Sequence, residues 1–299
     1  MDKRMSIRDR FVSGGKTILV TGGAGFIGSH LVAQLVQNKN NRVISLDNYS
    51  SGSEENHIGG VTYIKGETKD IAEHIKEIPD IVYHLGEYSR VLTSFDDVEL
   101  VWASNIIGTL GVLEFCRKNN IKLVYAGSST KFGDNIGGRT ESPYAWSKAN
   151  NTELVNNYGR WFKLPYVVVY FYNVYGGREI SEGRYATVMG IFSRKYKNKE
   201  PLTVVSPGTQ RRAFTYIEDT VSGLILAGEN GEGDGYCIGS ENTYSILEIA
   251  KLFGGEIKML PQKRGDRLSS TIDLSKIKEL GWEAKHSVED YIKSLKNGE

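Results

Sequence analysis

The chain has 299 residues, of which 24% are charged and 39% are apolar, and its formal net charge is +1. This length suits one large domain or two modest ones with a substantial core. The scattered lysines and arginines argue against nucleic-acid binding, and the lack of an apolar run of about 18 residues argues against a membrane span.

The N-terminal segment and the thiols indicate the compartment. Residues 1–15 are charged and lack the apolar core of a signal peptide. Cys116 and Cys237 form neither a metal-binding nor a redox pattern, and the five histidines are dispersed. We therefore expect a cytoplasmic protein without a metal site.

Short apolar segments alternate with helical patterns through the first half of the chain. The predicted strands are 17–20, 42–47, 61–65, 80–85, 122–127 and 166–171, and the predicted helices are 26–37, 70–78, 98–118 and 144–162. Nearly continuous apolar character is typical of strands that are buried on both faces. The alternation predicts an α/β fold with a Rossmann-like, doubly wound parallel sheet, which binds ligands at the carboxyl ends of its strands.

The pattern changes after about residue 175, where glycines become frequent. The predicted elements are helices at 185–198, 217–228, 246–253 and 287–295, a strand at 202–205 and a glycine-rich loop at 229–235. They indicate a smaller C-terminal α+β region that closes over the strand ends. We therefore assign residues 1–175 to a dinucleotide-binding domain and residues 176–299 to a substrate-binding region, and expect the two to interleave.

The sequence TGGAGFIGSHL (21–31) directly follows the first predicted strand. Glycines let the backbone approach a ligand closely, and the N-terminus of the next helix offers unpaired N–H groups that suit a pyrophosphate. Gly28, one turn into the helix, allows close packing on the sheet. Asp47 supplies the acidic residue at the end of the second strand that this fingerprint requires. The segment predicts a dinucleotide site, and the carboxylate favours NAD over NADP.

A possible proton-transfer pair lies near the start of the fourth predicted helix. Tyr144 and Lys148 are four positions apart and therefore share one helical face. Ser142 is a suitable N-cap and Pro143 a suitable first residue for that helix. A nearby ammonium group favours the phenolate and produces an acid or base that works near neutral pH. Ser128, at the end of the fifth strand, points towards the same crevice.

Several motifs follow one another in a characteristic order. They are TGGAGFIGSHL (21–31), LDNYSSG (46–52), YHLG (83–86), NIIGT (105–109), GSSTKFG (127–133), SPYAWSK (142–148), YFYNVYG (170–176), QRRAFTYIEDT (210–220) and, within 264–282, RGDR followed by DLSKIKELGW. With these motifs the chain resembles the extended short-chain dehydrogenase/reductase family, in the branch of NAD-dependent sugar-nucleotide epimerases and dehydratases that is similar to UDP-glucose 4-epimerase. The resemblance extends over about residues 16–285.

This resemblance implies a role for each matching residue. Tyr144 would be the catalytic base, Lys148 would tune it and hold the nicotinamide ribose, and Ser128 would hydrogen-bond the reacting sugar oxygen. The implied NAD-binding residues are Gly22, Gly25, Phe26, Ile27, Gly28, Asp47, Asn48, Leu85, Gly86 and Lys148. For a nucleotide-diphosphate sugar the resemblance implies binding by Asn173 and Arg212, with Arg264 as a further candidate. Glu87, Ser129 and Thr130 depart from the family pattern, and we expect them to be substrate-binding residues as well. The resemblance also implies a homodimer, formed through the helices at 98–118 and 144–162.

Two hydroxyl residues bear on the type of reaction. In dehydratases of this family an Asp-Glu pair follows the strand-end hydroxyl, and here those positions hold Ser129 and Thr130. We therefore favour epimerisation at C4 through a 4-keto intermediate. A sugar-nucleotide 4,6-dehydratase and a net oxidoreductase, such as a 4-keto-sugar reductase, are the alternatives. Glu87 stands where a small or amide residue is usual, and our hypothesis is that it contacts a substrate hydroxyl.

Overall fold

The computed structural model describes residues 15–132, 141–261 and 272–298. The strands are β1 (Thr17–Thr21), β2 (Arg42–Asp47), β3 (Val61–Lys65), β4 (Ile81–His84), β5 (Lys122–Ser128), β6 (Tyr166–Phe171), β7 (Val174–Tyr175), β8 (Leu202–Val205), β9 (Arg211–Ala213), β10 (Thr215–Tyr216), β11 (Gly233–Ile238), β12 (Thr243–Ser245) and β13 (Ile257–Leu260). The helices are α1 (Phe26–Leu35), α2 (Ile71–His74), α3 (Val98–Asn119), α4 (Pro143–Phe162), α5 (Val188–Lys197), α6 (Ile217–Asn230), α7 (Ile246–Phe253), α8 (Ser275–Glu279) and α9 (Val288–Asn297).

Seven parallel strands form the central sheet, in the order β11-β6-β5-β4-β1-β2-β3. The six strands predicted in the first half are all present. The inner strands are apolar on both faces because helices cover both sides of the sheet, and Leu19, Val82 and Val168 are completely buried. The edge strand β3 is less buried. The Rossmann-like fold class predicted from the sequence is therefore confirmed.

The edge strand β11 was not predicted. The sequence indicated a loop at 229–235, since glycine is unfavourable in strands. In the structure Gly233 and Gly235 have positive φ, and a register irregularity lies between Gly233 and Tyr236 where β11 pairs with β6. The segment from Tyr236 to Ile238 then supplies the regular part of the strand. As a result, a strand from the second half of the chain completes the sheet built by the first half.

Several predicted helices differ in extent or in local geometry, and the one predicted at 185–198 begins only at Val188. The helix predicted at 70–78 is a single turn, Ile71–His74, preceded by a 3₁₀ turn at Thr68–Asp70. The first helix ends at Leu35 rather than at residue 37. Helix α3 contains a π-helical stretch at Trp102–Ile107. Such stretches are often found at functional sites because they free backbone groups for other partners.

Local capping explains where the two helices next to the site begin. The Ser142 hydroxyl accepts a hydrogen bond from Ala145 N at 3.0 Å, and Pro143 occupies the first turn of α4. Ser245 and Glu248 form a reciprocal capping box at the start of α7. The sequence predicted both N-caps correctly.

A second, smaller core lies in the C-terminal region. It is formed by α5, α7, α9 and the two-stranded pair of β8 and β13, and its fully buried side chains include Phe192, Val204 and Phe253. The antiparallel pair of β9 and β12 and the short pair of β7 and β10 connect this core to the sheet. These elements stand over the carboxyl ends of the central strands.

Helix α3 has the length and apolar composition that could cross a membrane, although 39% of its most apolar window is buried in the fold. Val101, Val112 and Leu113 are completely buried in the protein. Composition of this kind also occurs in core helices, so we treat α3 as a helix that packs on the sheet.

Candidate active site

One large cavity, of about 860 Å³, lies at the carboxyl ends of β1, β2, β4, β5 and β6. Its floor is formed by residues that follow these strands, and its opposite wall comes from β8, β9 and α5 of the smaller region. The crevice at this edge of an open parallel sheet is where such folds bind ligands. Every candidate site residue that lies within the described residues lines this cavity.

The glycine loop forms one end of the cavity. Gly22 has a φ of +75°, and a methyl group added at Gly28 would lie 2.0 Å from the Gly22 carbonyl oxygen. Gly25 is the N-cap of α1 and has no side chain to cap the helix, and the first residues of the helix line the cavity. Phe26 and Ile27 continue the same wall. This cradle has the shape and the donors that a pyrophosphate requires.

Asp47 lies at the end of β2 beside the glycine loop. Its side chain accepts hydrogen bonds from Ala24 N at 2.9 Å and from Tyr49 N at 2.8 Å, which fixes both carboxylate oxygens in place. Burial raises the pKa of Asp47, while these two backbone donors oppose the shift. The residue is only 7% exposed, and its accessible edge faces the cavity. The arrangement suits an acceptor for ribose hydroxyls.

The remaining implied cofactor residues continue along the cavity floor. The Asn48 amide donates to the Glu67 carboxylate, at 3.2 Å to the nearer oxygen, and both side chains line the cavity. Leu85 and Gly86 follow β4, and Gly86 N donates to the Thr21 hydroxyl at 3.0 Å. The loop after β4 is thereby fixed to β1. Together with the glycine loop and Asp47, these residues fit NAD.

Ser128 and Tyr144 meet at the centre of the cavity. The Tyr144 hydroxyl donates to Ser128 Oγ at 3.3 Å. Ser128 Oγ also accepts from the Thr130 hydroxyl at 2.9 Å and from Thr130 N at 3.3 Å. Burial raises the pKa of Tyr144 above its ordinary value, the hydrogen bond with Ser128 lowers it, the Glu87 charge raises it and the Arg90 charge lowers it. Two hydroxyl groups are therefore positioned around one point of the cavity.

Lys148 is bound to Glu87 and not to Tyr144. The ammonium group pairs with Glu87 Oε2 and donates to the Ala126 carbonyl at 2.5 Å. It also lies 4.4 Å from the centre of the Tyr125 ring. The side chains of Lys148 and Glu87 are each 5% exposed. Within the described residues this is a buried ion pair at the wall of the cavity.

Glu87 is bound by three further side chains. Its Oε1 accepts from Thr109 at 2.8 Å, from Asn151 at 2.9 Å and from Tyr125 at 3.1 Å. Burial raises the pKa of Glu87, but the Lys148 ammonium and these donors outweigh it and hold the pKa below its usual value. The carboxylate is therefore ionised and rigidly held.

The π-helical stretch of α3 supports this cluster. The Asn105 carbonyl accepts from the Asn151 amide at 2.8 Å, and the Asn105 amide donates to Ser147 Oγ at 2.9 Å. His84 lies between Thr21 and Thr109, at 2.7 and 3.0 Å, and burial lowers its pKa to about 4. His84 is therefore neutral at physiological pH.

The implied sugar-nucleotide residues lie at the other end of the cavity. Asn173 donates to the Ala213 carbonyl at 2.9 Å, which connects the end of β6 to β9. Arg212 lies on β9 and lines the cavity, as do Ser129 and Thr130 after β5. Arg264 lies outside the described residues. The structure thus brings together residues that are more than 80 positions apart in sequence.

Sequence reasoning missed two charged residues of the cavity wall. Arg90 Nε donates to the Tyr185 carbonyl at 3.0 Å, and the residue is half-buried. Glu179 accepts from Gly176 N at 3.1 Å and from the Thr187 hydroxyl at 2.5 Å, and burial raises its pKa to about 7. Neither Arg90 nor Glu179 belongs to a recognisable motif. The sequence shows only that each follows an apolar or glycine-rich segment.

Comparisons with known proteins show which family the sequence matches. Residues 18–239 match the model of the NAD dependent epimerase/dehydratase family. UDP-glucuronic acid decarboxylase 6 of Arabidopsis thaliana is 32% identical over 301 residues, which cover 92% of this chain and 86% of that protein. A putative UDP-glucose 4-epimerase of Methanocaldococcus jannaschii is 30% identical over 300 residues, which cover 94% and 97%.

A solved structure shares the same fold along nearly its whole length. The UDP-glucose 4-epimerase of Thermotoga maritima, crystallised with UDP-glucose, superimposes with a TM-score of 0.85 at 30% identity and covers 94% of this chain and 99% of that one. The named relatives therefore catalyse more than one reaction on a common scaffold.

Proposed function

The chain belongs to the NAD-dependent epimerase/dehydratase family, and on this premise we propose that it epimerises a nucleotide-activated sugar at C4. The observation that carries this proposal is the pair of hydroxyl groups, Ser128 and Tyr144, that converge 3.3 Å apart in the cavity. When bound, NAD supplies the group that accepts hydrogen from the sugar carbon. A substrate oxygen placed between the two hydroxyls would be in reach of both.

The chain's own residues divide the work in this proposal. Tyr144 removes the proton from the C4 hydroxyl and later returns one, while Ser128 hydrogen-bonds the same oxygen and keeps it in place. Return of hydrogen to the opposite face of the 4-keto sugar inverts C4. Asn173 and Arg212 hold the nucleotide diphosphate, for which a guanidinium is well suited. Arg264 is a further candidate for that task.

The groups after β5 favour epimerisation over dehydration. Loss of water from C5 and C6 needs an additional acid and base, and Ser129 and Thr130 occupy the positions of the Asp-Glu pair. The Thr130 hydroxyl is bonded to Ser128, so it supports the catalytic serine. A serine or threonine hydroxyl does not ionise in the range where a carboxylic acid transfers protons. The proposal therefore rests on a site that has the hydroxyl pair of Ser128 and Tyr144 but lacks the Asp-Glu pair of the dehydratases.

The decisive experiment is an NMR assay with a panel of UDP-, GDP-, dTDP- and CDP-linked hexoses and no added cofactor. We expect inversion at C4 of at least one sugar, with no net change in redox state. A 4-keto-6-deoxy product would replace the epimerase proposal by a dehydratase. Turnover that requires added NAD or NADH in stoichiometric amounts would indicate a net oxidoreductase.

UDP-glucuronic acid belongs in the same panel because a relative is named as its decarboxylase. Release of carbon dioxide with formation of a pentose would contradict the epimerase proposal. In the same assay, Tyr144→Phe should lose most of its turnover. Its matched control is Tyr166→Phe, since Tyr166 lies on β6 and does not line the cavity. The control should turn over at the wild-type rate.

We also propose that the protein is a homodimer formed through α3 and α4. Large apolar side chains on the two helices are exposed, among them Trp102 at 41%, Trp161 at 60% and Phe162 at 48%. Large exposed apolar side chains on neighbouring helices are typical of contact sites between proteins. Sedimentation-velocity measurements of the wild type and of Trp161→Glu test this proposal. A wild type that sediments as a monomer at micromolar concentration would refute it.

A further inference from the structure

The Glu87–Lys148 pair lies where the charge of the lysine matters for catalysis. An ammonium group has three N–H donors, and here one is taken by Glu87 Oε2 and one by the Ala126 carbonyl. One donor is left for a ligand in the cavity. Lys148 can therefore still hold a ribose hydroxyl, but its positive charge is already compensated by a buried carboxylate.

The carboxylate cannot easily turn away from Lys148. Thr109 and Asn151 are at most 1% exposed, and both donate to the Glu87 oxygen that faces away from the lysine. Tyr125 is completely buried and donates to the same oxygen. Moving Glu87 would leave these donors unsatisfied in the core, which is costly. The pair is therefore a fixed part of the site.

Charge counting shows the consequence for Tyr144. With Glu87 ionised and Lys148 protonated, the cluster of these three residues is neutral. Removing a proton then leaves a net negative charge at a buried position, and burial disfavours net charge. If residue 87 were neutral, removal of the same proton would convert a positive cluster into a neutral one. The same count applies whether the proton leaves Tyr144 or Lys148, because the net charge of the cluster changes by one in either case.

The other groups that face the cluster do not cancel this effect. His84 is neutral, and burial together with the Glu87 charge raises the pKa of Tyr125, so Tyr125 stays protonated. The positive charge of Arg90 lowers the pKa of Tyr144. The negative charge of Glu179 in turn raises the pKa of Arg90. Within the described residues, Glu87 is therefore the anion that acts directly on the base.

We infer that Glu87 is a positioning residue that sets the pH range in which Tyr144 can act as a base, because its carboxylate neutralises the Lys148 ammonium. The inference rests on the proposed role of Tyr144 as the base. It gives Glu87 a task other than contact with a substrate hydroxyl. It also explains why an acidic residue is accommodated where the family has a small or amide residue.

The test measures proton loss in two independent ways. The first is the pH profile of kcat/KM for the wild type and for Glu87→Gln, each saturated with NAD. The second is the pH titration of tyrosinate absorbance in the same NAD-saturated proteins, with the matching Tyr144→Phe variants subtracted to isolate one tyrosine. In Glu87→Gln, we expect the acidic limb and the Tyr144 transition to move to lower pH by about one unit or more.

Two variants separate charge from structure. Glu87→Asp keeps the negative charge and should leave the acidic limb near its wild-type position even where kcat falls. Thr109→Val removes a neutral partner of Glu87 and should move the limb far less than Glu87→Gln does. Glu87→Ala introduces the small residue that is usual in the family. It replaces Glu87→Gln in the test if the Glu87→Gln protein fails to fold.

The outcomes are distinct. A limb and a tyrosine transition that stay in place or move to higher pH in Glu87→Gln would overturn the inference. Failure of both Glu87→Gln and Glu87→Ala to fold would assign Glu87 to stability alone and would also overturn it. If Tyr144 contributes no transition in any protein and the limb persists in Tyr144→Phe, the proposed base is wrong, and the proposed function fails independently of Glu87.

Discussion

Two parts of the cavity are built in different ways. One is the glycine-loop end, where we propose that NAD binds and which we call the cofactor end. The other is the side-chain cluster around Tyr144 at the centre, where we propose that protons are transferred and which we call the catalytic end. At the cofactor end, the ligand surface is mostly backbone: Gly22 and Gly28 make room, and the N-terminus of α1 supplies N–H groups. At the catalytic end it consists of side chains, where the buried charges of Glu87 and Lys148 neutralise each other. The glycine loop should lose its ligand when an added side chain fills the space next to the backbone. The charged cluster should lose activity when one of its groups changes its protonation state. Substitutions should therefore separate the two ends.

The largest effect is expected at the catalytic end. Tyr144→Phe removes the hydroxyl that bonds to Ser128 but preserves the ring, so kcat should fall by about 10²–10⁴-fold. Because Tyr144 lies away from the glycine loop, NAD affinity measured by calorimetry should stay near the wild-type value. A variant that loses NAD binding along with turnover would show that the two ends are not separable.

Gly28→Ala tests the cofactor end. The added methyl group would lie 2.0 Å from the Gly22 carbonyl oxygen, so the loop or the helix must shift. Overpacking of this kind costs about 1–3 kcal/mol or more, and we expect NAD binding to weaken by at least about tenfold in calorimetry. Gly59→Ala is the control because nothing lies within 4 Å of a methyl group there. Equal NAD affinity in both variants would contradict the cradle.

Asp47→Asn tests the same end through charge and not through space. The change removes the charge but keeps the size, and a hydrogen bond to a charged group contributes about 1.5–3 kcal/mol. We therefore expect NAD affinity to fall by about 10–100-fold, with a smaller loss for NADP because the repulsion of its phosphate disappears. Asp96→Asn, at an exposed position, should leave both affinities unchanged. If the ratio of NAD to NADP affinity were unchanged in Asp47→Asn, Asp47 would not determine which cofactor is bound.

The effect expected for Glu179 concerns stability and appears only at the alkaline end of the pH range. Its pKa is raised from 4.5 to about 7 in the fold, so the folded protein binds more protons than the unfolded chain between these values. Stability is therefore present at low pH and is lost as pH rises through this window. Glu179→Gln should gain about 1–3 kcal/mol over the wild type near pH 8 and little near pH 5.

Thermal unfolding at several pH values measures this difference. Glu182→Gln is the matched control, since that glutamate is 72% exposed and should show no pH-dependent gain. A constant difference between Glu179→Gln and the wild type across the pH range would mean that Glu179 is ionised throughout. Turnover of Glu179→Gln would additionally show whether its carboxyl group contributes to catalysis.

Local sequence signals predicted most of the sheet and the cofactor end. Strands such as Ile81–His84 are apolar throughout because both faces are covered, and that pattern is visible without the fold. Ser142 and Ser245 marked helix starts through capping, which is also a local effect. The strand at Gly233–Ile238 escaped prediction because its glycines suit a loop, and only pairing with β6 overrides that preference.

The sequence by itself determined the family, the fold class and the positions of Ser128, Tyr144 and Lys148, because each follows from a short motif of fixed spacing. Only the tertiary structure decided which partner the Lys148 ammonium takes. Glu87 is 61 positions away in sequence, and β4 and α4 bring the two side chains together in the core. The sequence spacing of a charged residue does not indicate its partner in the fold. The effect of Glu87 on Tyr144 can therefore be inferred only from the assembled sheet and helices.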